Sequence, residues 1–187
     1  MTVLATSYEA SSHTLYVPLV ESCEDFTWKP RSPDKTAAGG GDLDWVVKAP
    51  PHSDGKFGRV EAIDLATGKV RWTRRQRAPE SSSLLATAGG VVFEGSRDRM
   101  FRALDTRTGK TLWSFGLNAP PSSTPITYTA HGQQYVAVVA GGGNPHDVTW
   151  RQLTPEIADP ADGVTLWVFK VPTQPRAAGG GKSRPKH

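Results

Sequence analysis

The chain has 187 residues, of which 37% are apolar and 21% charged, enough for one packed domain and ordinary for a globular protein. Its net charge of +4 is set by residues 173–187, which carry Arg176, Lys182, Arg184 and Lys186 and no acid, so that 18 basic residues face 18 acidic ones in the remainder; a nucleic-acid-binding surface is not expected. No apolar run reaches the roughly 18 residues of a membrane span, no charged-then-apolar leader follows Met1, and the single cysteine, Cys23, excludes an internal disulfide and a cysteine-based metal cluster.

In chain order, Ser7-Tyr8 and Tyr16-Val17-Pro18-Leu19 predict a hairpin with its turn near Ser11 to His13. Residues 24–57 follow as an irregular excursion, with Pro30, Pro33, Pro50, Pro51, the run Gly39-Gly40-Gly41 and two tryptophans. A loop of this length is expected as a functional element or an insertion over one face of the domain. Cys23, at its edge, is expected as a small buried hydrophobe.

The internal repeat decides the fold class. Ala62-Ile63-Asp64-Leu65-Ala66-Thr67-Gly68-Lys69-Val70-Arg71-Trp72 recurs, 41 residues on, as Ala103-Leu104-Asp105-Thr106-Arg107-Thr108-Gly109-Lys110-Thr111-Leu112-Trp113. Gly163-Val164-Thr165-Leu166-Trp167 keeps the Gly-to-Trp spacing as a degenerate third copy. A period near 40 with short strands and turns is the signature of propeller blades. Between the marks, LLATA, VVFEG, MFRAL and TLWSF read as the four strands of one complete blade. Pro125 to Tyr128 and Gln134 to Ala140, around the turn His131-Gly132, begin another that Leu166 to Val171 closes. The predicted fold is all-β: a partial β-propeller of about three to four four-stranded antiparallel blades over residues 1–172, followed by a disordered basic tail, 173–187.

The motif has a physical reading. Asp ends a strand and caps the turn by accepting backbone N–H groups. Gly supplies positive φ. Trp, four residues later on the next strand, packs between neighbouring blades, so Trp72 and Trp113 are structural.

Other chemical signals are weak. His13, His52, His131, His146 and His187 lack ligand spacing and read as surface turn residues. Asp42 and Asp44 read as a solvated loop pair, and the triple-glycine runs lack the strand–loop–helix setting of a phosphate cradle. Arg97, Asp98, Arg99 and Arg102 read as surface ion pairs.

Three longer blocks carry a resemblance. SYEASSHTLYVPLVESCEDFTW, QRAPESSSLLATAGGVVFEGSRDRMFRALD and SSTPITYTAHGQQYVAVVAGGG are similar, in order, to segments of the pyrroloquinoline-quinone (PQQ)-dependent alcohol dehydrogenases, eight-bladed propellers with this blade motif. The resemblance covers most of residues 5–171 and matches the family's C-terminal part. It implies a periplasmic oxidoreductase acting on alcohols or related substrates, with PQQ and calcium on the propeller axis and an Asp as base.

The family's calcium ligands, catalytic Asp, stacking Trp and adjacent-cysteine disulfide lie in earlier blades that this chain lacks. No catalytic or metal residue is therefore assigned, and the chain alone is expected to be inactive. Ser81 and Ser82 fall at the rim of the quinone pocket by resemblance. Two positions depart: the family's quinone-facing Asn is Val20, which cannot donate to a carbonyl, and its pocket Trp is Ser81, which offers little contact area. The implied partner is a second chain or the missing blades, completing the ring. The other reading is a non-enzymatic propeller scaffold similar to the outer-membrane assembly lipoproteins.

Overall fold

The computed structural model describes residues 4–29, 42–142, 150–158 and 163–171. The predicted tail lies outside these, as do His146 and Gly39 to Gly41.

The first sheet contains β1 (Ser7–Glu9), β2 (Thr14–Val20), β5 (Gly58–Asp64) and β6 (Val70–Gln76), hydrogen-bonded in that order. The second runs in chain order through β7 (Leu85–Thr87), β8 (Val91–Gly95), β9 (Met100–Asp105) and β10 (Thr111–Gly116). The third has β11 (Ile126–Ala130), β12 (Gln133–Gly141) and β13 (Val164–Lys170). All pairings are antiparallel. The architecture is a partial β-propeller, with two four-stranded blades and a third blade of three strands among the described residues.

Two expectations are corrected. Within the segment read as irregular, β3 (Cys23–Lys29) and β4 (Asp42–Lys48) pair as a separate hairpin inserted between β2 and β5. Its stacked Phe26 and Trp45 lie 5.8 Å apart, and cross-strand aromatic pairing of this kind holds a ribbon that local propensity alone does not announce. Asp42 and Asp44 lie on β4, and Cys23 is half-buried rather than buried. The second correction is Trp167. It sits on β13, which pairs directly with β12 and is a third strand, whereas Trp72 and Trp113 sit on fourth strands. The described residues between β12 and Gly163 form turns at Trp150 to Ile157 rather than the third strand that precedes the motif elsewhere.

The motif does in space what its residue types dictate. Asp64 Oδ1 accepts the N–H groups of Ala66 (2.9 Å) and Thr67 (3.2 Å), and Asp105 Oδ1 those of Arg107 (3.0 Å) and Thr108 (2.9 Å). Gly68 and Gly109 take φ of 69° and 68°. Trp72 then crosses to the next blade: its indole N–H donates to the Thr106 carbonyl at 2.8 Å, and its ring lies flush against Gly109. Tyr16, fully buried on β2, reaches the same carbonyl at 3.3 Å and donates to Glu9 at 2.9 Å; burial, then Glu9, pushes its phenol up to about 12.

Apolar cores lie between blades, as sheet-on-sheet packing requires. Tyr16, Val60, Ala62, Leu84 and Val92, with Trp72 and Ala86 against them, fill the first junction. Phe101, Leu117, Ala119, Val136, Val138 and Ala140 fill the second, with Trp167 and Phe169 packed on them. Nearer the inner strands, the Ala86 N–H donates to Ser7 Oγ at 2.8 Å and the Leu84 N–H to the Ala5 carbonyl at 3.1 Å.

Gly109 and Gly68 separate turn strain from inter-blade contact. A Cβ on Gly109 would lie 2.6 Å from the Trp72 ring, while one on Gly68 meets nothing within 4 Å. Both alanines carry the left-handed penalty of about 1–2 kcal/mol, and Gly109→Ala adds an overpacking cost of about 1–3 kcal/mol. Urea denaturation of the two variants should show Gly109→Ala as clearly the less stable.

Candidate functional site

The loops that join blades carry a second repeat at the same 41-residue offset: Ala78-Pro79-Glu80-Ser81-Ser82 and Ala119-Pro120-Pro121-Ser122-Ser123. Each makes an isolated bridge to the end of the next blade's second strand, Glu80 to Ser96 and Pro121 to Ala140. The Ser81 and Ser82 amides both donate to the Gly95 carbonyl (2.9 and 3.1 Å), and the Ser122 amide donates to that of Val139 at 2.9 Å. The linkers thus stitch along the seam between blades.

Ser81 and Ser82 are each 1% exposed. Ser82 Oγ donates to the Ser83 carbonyl at 3.0 Å, and a Cβ on Gly95 would lie 2.9 Å from it and 2.5 Å from Pro121. Ser81 Oγ is buried without a partner. Both residues are spent on inter-blade packing and offer no broad face to a planar quinone. Val20 packs against the cluster of Val47, Phe57, Trp150 and Leu153 beneath the inserted hairpin. Among the described residues no three His, Cys, Asp or Glu side chains gather where they could hold a metal ion. These residues do not by themselves fit a quinone or a divalent cation, and no chemical step is routed through either.

What the seam does hold is buried charge. Glu80 and Glu94 are both fully buried. Gln76 donates to Glu80 at 2.7 Å, and Glu94 meets Arg74 at 3.2 Å and Arg102 at 3.4 Å. Arg102 also donates to Ser96 Oγ at 2.6 Å and pairs with Asp98 at 2.5 Å. Burial first, then the charge of Glu94 and a hydrogen bond to it, raises the Glu80 carboxyl well above the ordinary range, against the opposing pull of Arg74 and Arg102.

Arg97, Asp98 and Arg102, read from sequence as surface ion pairs, are corrected here. Arg97 is 1% exposed, with Nε donating to Thr154 Oγ1 at 3.3 Å, and the Arg102 side chain is 11% exposed. The reason is the seam: Arg74 on β6 and Arg102 on β9 both meet Glu94 on β8, and Arg97 reaches the segment around Thr154, so the two arginine side chains turn inward while Asp98 stays partly exposed. Arg97, Asp98 and Arg99 all lie in the turn between β8 and β9, and of the three only Arg99 is exposed, with φ of 66°.

His13, His52 and His131 occupy turns at positive φ (50°, 63° and 50°), the placement expected of them; Tyr8 Oη lies 3.1 Å from His13 Nδ1. The sequence reading missed Glu80 and the linker repeat. The signal was available, because Ala-Pro-x-Ser-Ser recurs at the motif's own offset.

The energetics follow from burial. Arg102→Ala leaves Glu94 with Arg74 as its one cation and removes the pair with Asp98, and should cost at most about 3–5 kcal/mol in urea unfolding, the full consequence of breaking a buried pair. Arg75→Ala removes a cation that bridges Glu21 and Asp54 in solvent, where screening leaves little to lose, and should unfold close to wild type.

The comparisons agree with this architecture. Residues 29–136 match the family described as PQQ, the glucose/ethanol/alcohol dehydrogenase β-propeller domain. The chain is 39% identical over 116 residues to the quinoprotein ethanol dehydrogenase of Pseudomonas putida, covering 62% of this chain and 18% of that protein. It is 32% identical over 167 residues to that of Pseudomonas aeruginosa, covering 89% and 26%. In fold it is similar to a europium-containing methanol dehydrogenase, with a TM-score of 0.73 at 24% identity, covering 89% of this chain and 32% of that one. It is likewise similar to the quinohemoprotein alcohol dehydrogenase of Comamonas testosteroni, with a TM-score of 0.68 at 24% identity, covering 92% and 26%. The chain therefore spans about a fifth to a third of the length of these proteins. With its stapled blades and a family match over more than half its length, the chain belongs to the PQQ-dependent glucose/ethanol/alcohol dehydrogenase β-propeller family.

Proposed function

We propose that this chain is one sector of a PQQ-dependent alcohol dehydrogenase ring, acting in the periplasm and inactive until the remaining blades are present. In the completed ring, bound PQQ with calcium supplies the hydride acceptor for oxidation of an alcohol or related substrate. This sector supplies rigid seams, and the base and the ion ligands come from the other blades.

The observation that carries the reading is the third sheet. Its inner row, Val136, Val138, Trp167 and Phe169, packs on the second blade. Its opposite row is apolar too, yet Ile126 (56% exposed), Leu166 (64%) and Val164 (65%) face outward without cover. Register aligns Ile126, Ala137 and Val168 across all three strands, with Val139 beside Leu166. A sheet apolar on both faces is built to be sandwiched. Among the described residues the edge of β13 is moreover unpaired where each of the other blades has a fourth strand. The occupant that fits is another blade of the same ring.

The activity test is reduction of an artificial electron acceptor by the purified chain with added PQQ, calcium and ethanol. No turnover is expected, and turnover by the chain alone overturns the sector reading. Light scattering checks ring completion: self-association or capture of the missing blades is expected, and a monodisperse monomer with no affinity for them counts against it. The scaffold reading draws support from the packing of Val20 and Ser81. A quinone titration of the completed ring separates the two, since micromolar binding supports the dehydrogenase and no binding supports the scaffold.

A further inference from the structure

The two seams of this chain are built on one plan and filled with opposite chemistry. The 41-residue offset places Arg74, Gln76 and Glu80 at the positions of Phe115, Leu117 and Pro121. The linker bridges Glu80 to Ser96 and Pro121 to Ala140 then set Glu94 against Val138, and the pairings Glu94–Arg102 and Val138–Trp167 set Arg102 against Trp167. Five positions that are polar in the first seam are therefore apolar in the second, where Phe115 and Trp167 pack with ring centroids 5.4 Å apart. The plan needs no carboxyl at either glutamate position.

Charge and hydrogen bonding in the first seam leave one group over. Arg74 and Arg102 bring two positive charges to three carboxyls, Glu80, Glu94 and Asp98. Gln76 and Ser96, which hydrogen-bond within the cluster, are neutral, and the buried Arg97 beside them directs its guanidinium to Thr154 and the Ile157 carbonyl. Glu80 and Glu94 each accept through one oxygen and leave the other, Oε2, buried with no donor. One proton corrects both faults: it neutralises the cluster, and as a hydrogen bond between the two carboxyls it satisfies both orphaned oxygens.

We propose that Glu80 and Glu94 share one proton and form a proton-dependent joint between the first two blades, tight while the proton is held and loosened when it leaves. This needs no ligand and does not rest on the dehydrogenase reading. The sign of the linkage is fixed. Below the ordinary glutamate range, near 4.5, folded and unfolded chains both carry the proton. Above it the unfolded chain loses the proton and the folded chain keeps it, so stability falls as pH rises. The fall ends once pH exceeds the raised value of Glu80 in the folded chain.

The test compares the urea-unfolding equilibrium of the full chain with that of Glu80→Gln across roughly pH 5 to 8. Within the window, the wild-type folded-to-unfolded ratio should drop by about tenfold per pH unit relative to the variant, whose amide donates to Glu94 without titrating. Parallel pH profiles overturn the proposal. Infrared spectroscopy of the unmodified chain gives a readout that does not depend on the variant folding. A protonated-carboxyl C=O stretch should persist in the folded chain above the ordinary glutamate range and vanish on unfolding, and its absence from the folded chain overturns the proposal as well.

Discussion

The contact on which the rest of the molecule depends is the seating of the Trp72 indole on Gly109. A blade alone has two apolar faces and no reason to stand beside another at a defined angle. The indole settles the matter, because it lies flat only where the opposing turn has no side chain, and its N–H finds one carbonyl, that of Thr106. Gly109 thus meets two demands at once, a left-handed turn and a bare surface. Asp105 holds the turn in place, and the linker at Ser81 and Ser82 hydrogen-bonds along the same seam. The second junction repeats the device only partly. Trp113 packs on the rings of Phe101 and Phe169.

Much of this was legible in the sequence because it is local. Asp64 and Asp105 cap turns within three residues of themselves, and LLATA-GG-VVFEG closes a hairpin on its own glycine. What stayed hidden depends on partners distant in the chain. Nothing near Glu80 reveals that Arg74, Glu94 and Arg102 converge on it, because a glutamate beside three serines reads as a solvated loop. The tryptophan spacing at Gly163 misled for the complementary reason. Spacing records a turn followed by an aromatic residue, whereas strand order is set by which edge remains free, and β12 offered that edge to β13. The hairpin of β3 and β4 was obscured by the proline- and glycine-rich sequence between its strands.

The candidate site was legible only as a resemblance. Ser81 and Ser82 were expected at the rim of a quinone pocket, whereas their burial in the linker between blades, with both amides on the Gly95 carbonyl of the next blade, depends on residues distant in the chain. The buried charge of this chain lies in the seam between its first two blades, where burial makes each hydrogen bond and each unpaired oxygen count.

The contrast between the two seams also bears on the order in which sheets stack. A propeller built from repeats risks shuffling, since any blade offers strands of similar length and twist to any other. Here a sheet presenting Phe115 and Leu117 cannot substitute for β6 against Glu94 and Arg102 without stranding buried charge. Nor can Arg74 take the place of Phe115 beside Val138 and Trp167. Each mismatch carries the desolvation cost of an unpaired ion in an apolar wall, far above what shape similarity returns. The polar first seam and the apolar second seam thus make the three sheets non-interchangeable, so that their order along the chain is also the order in which their faces match.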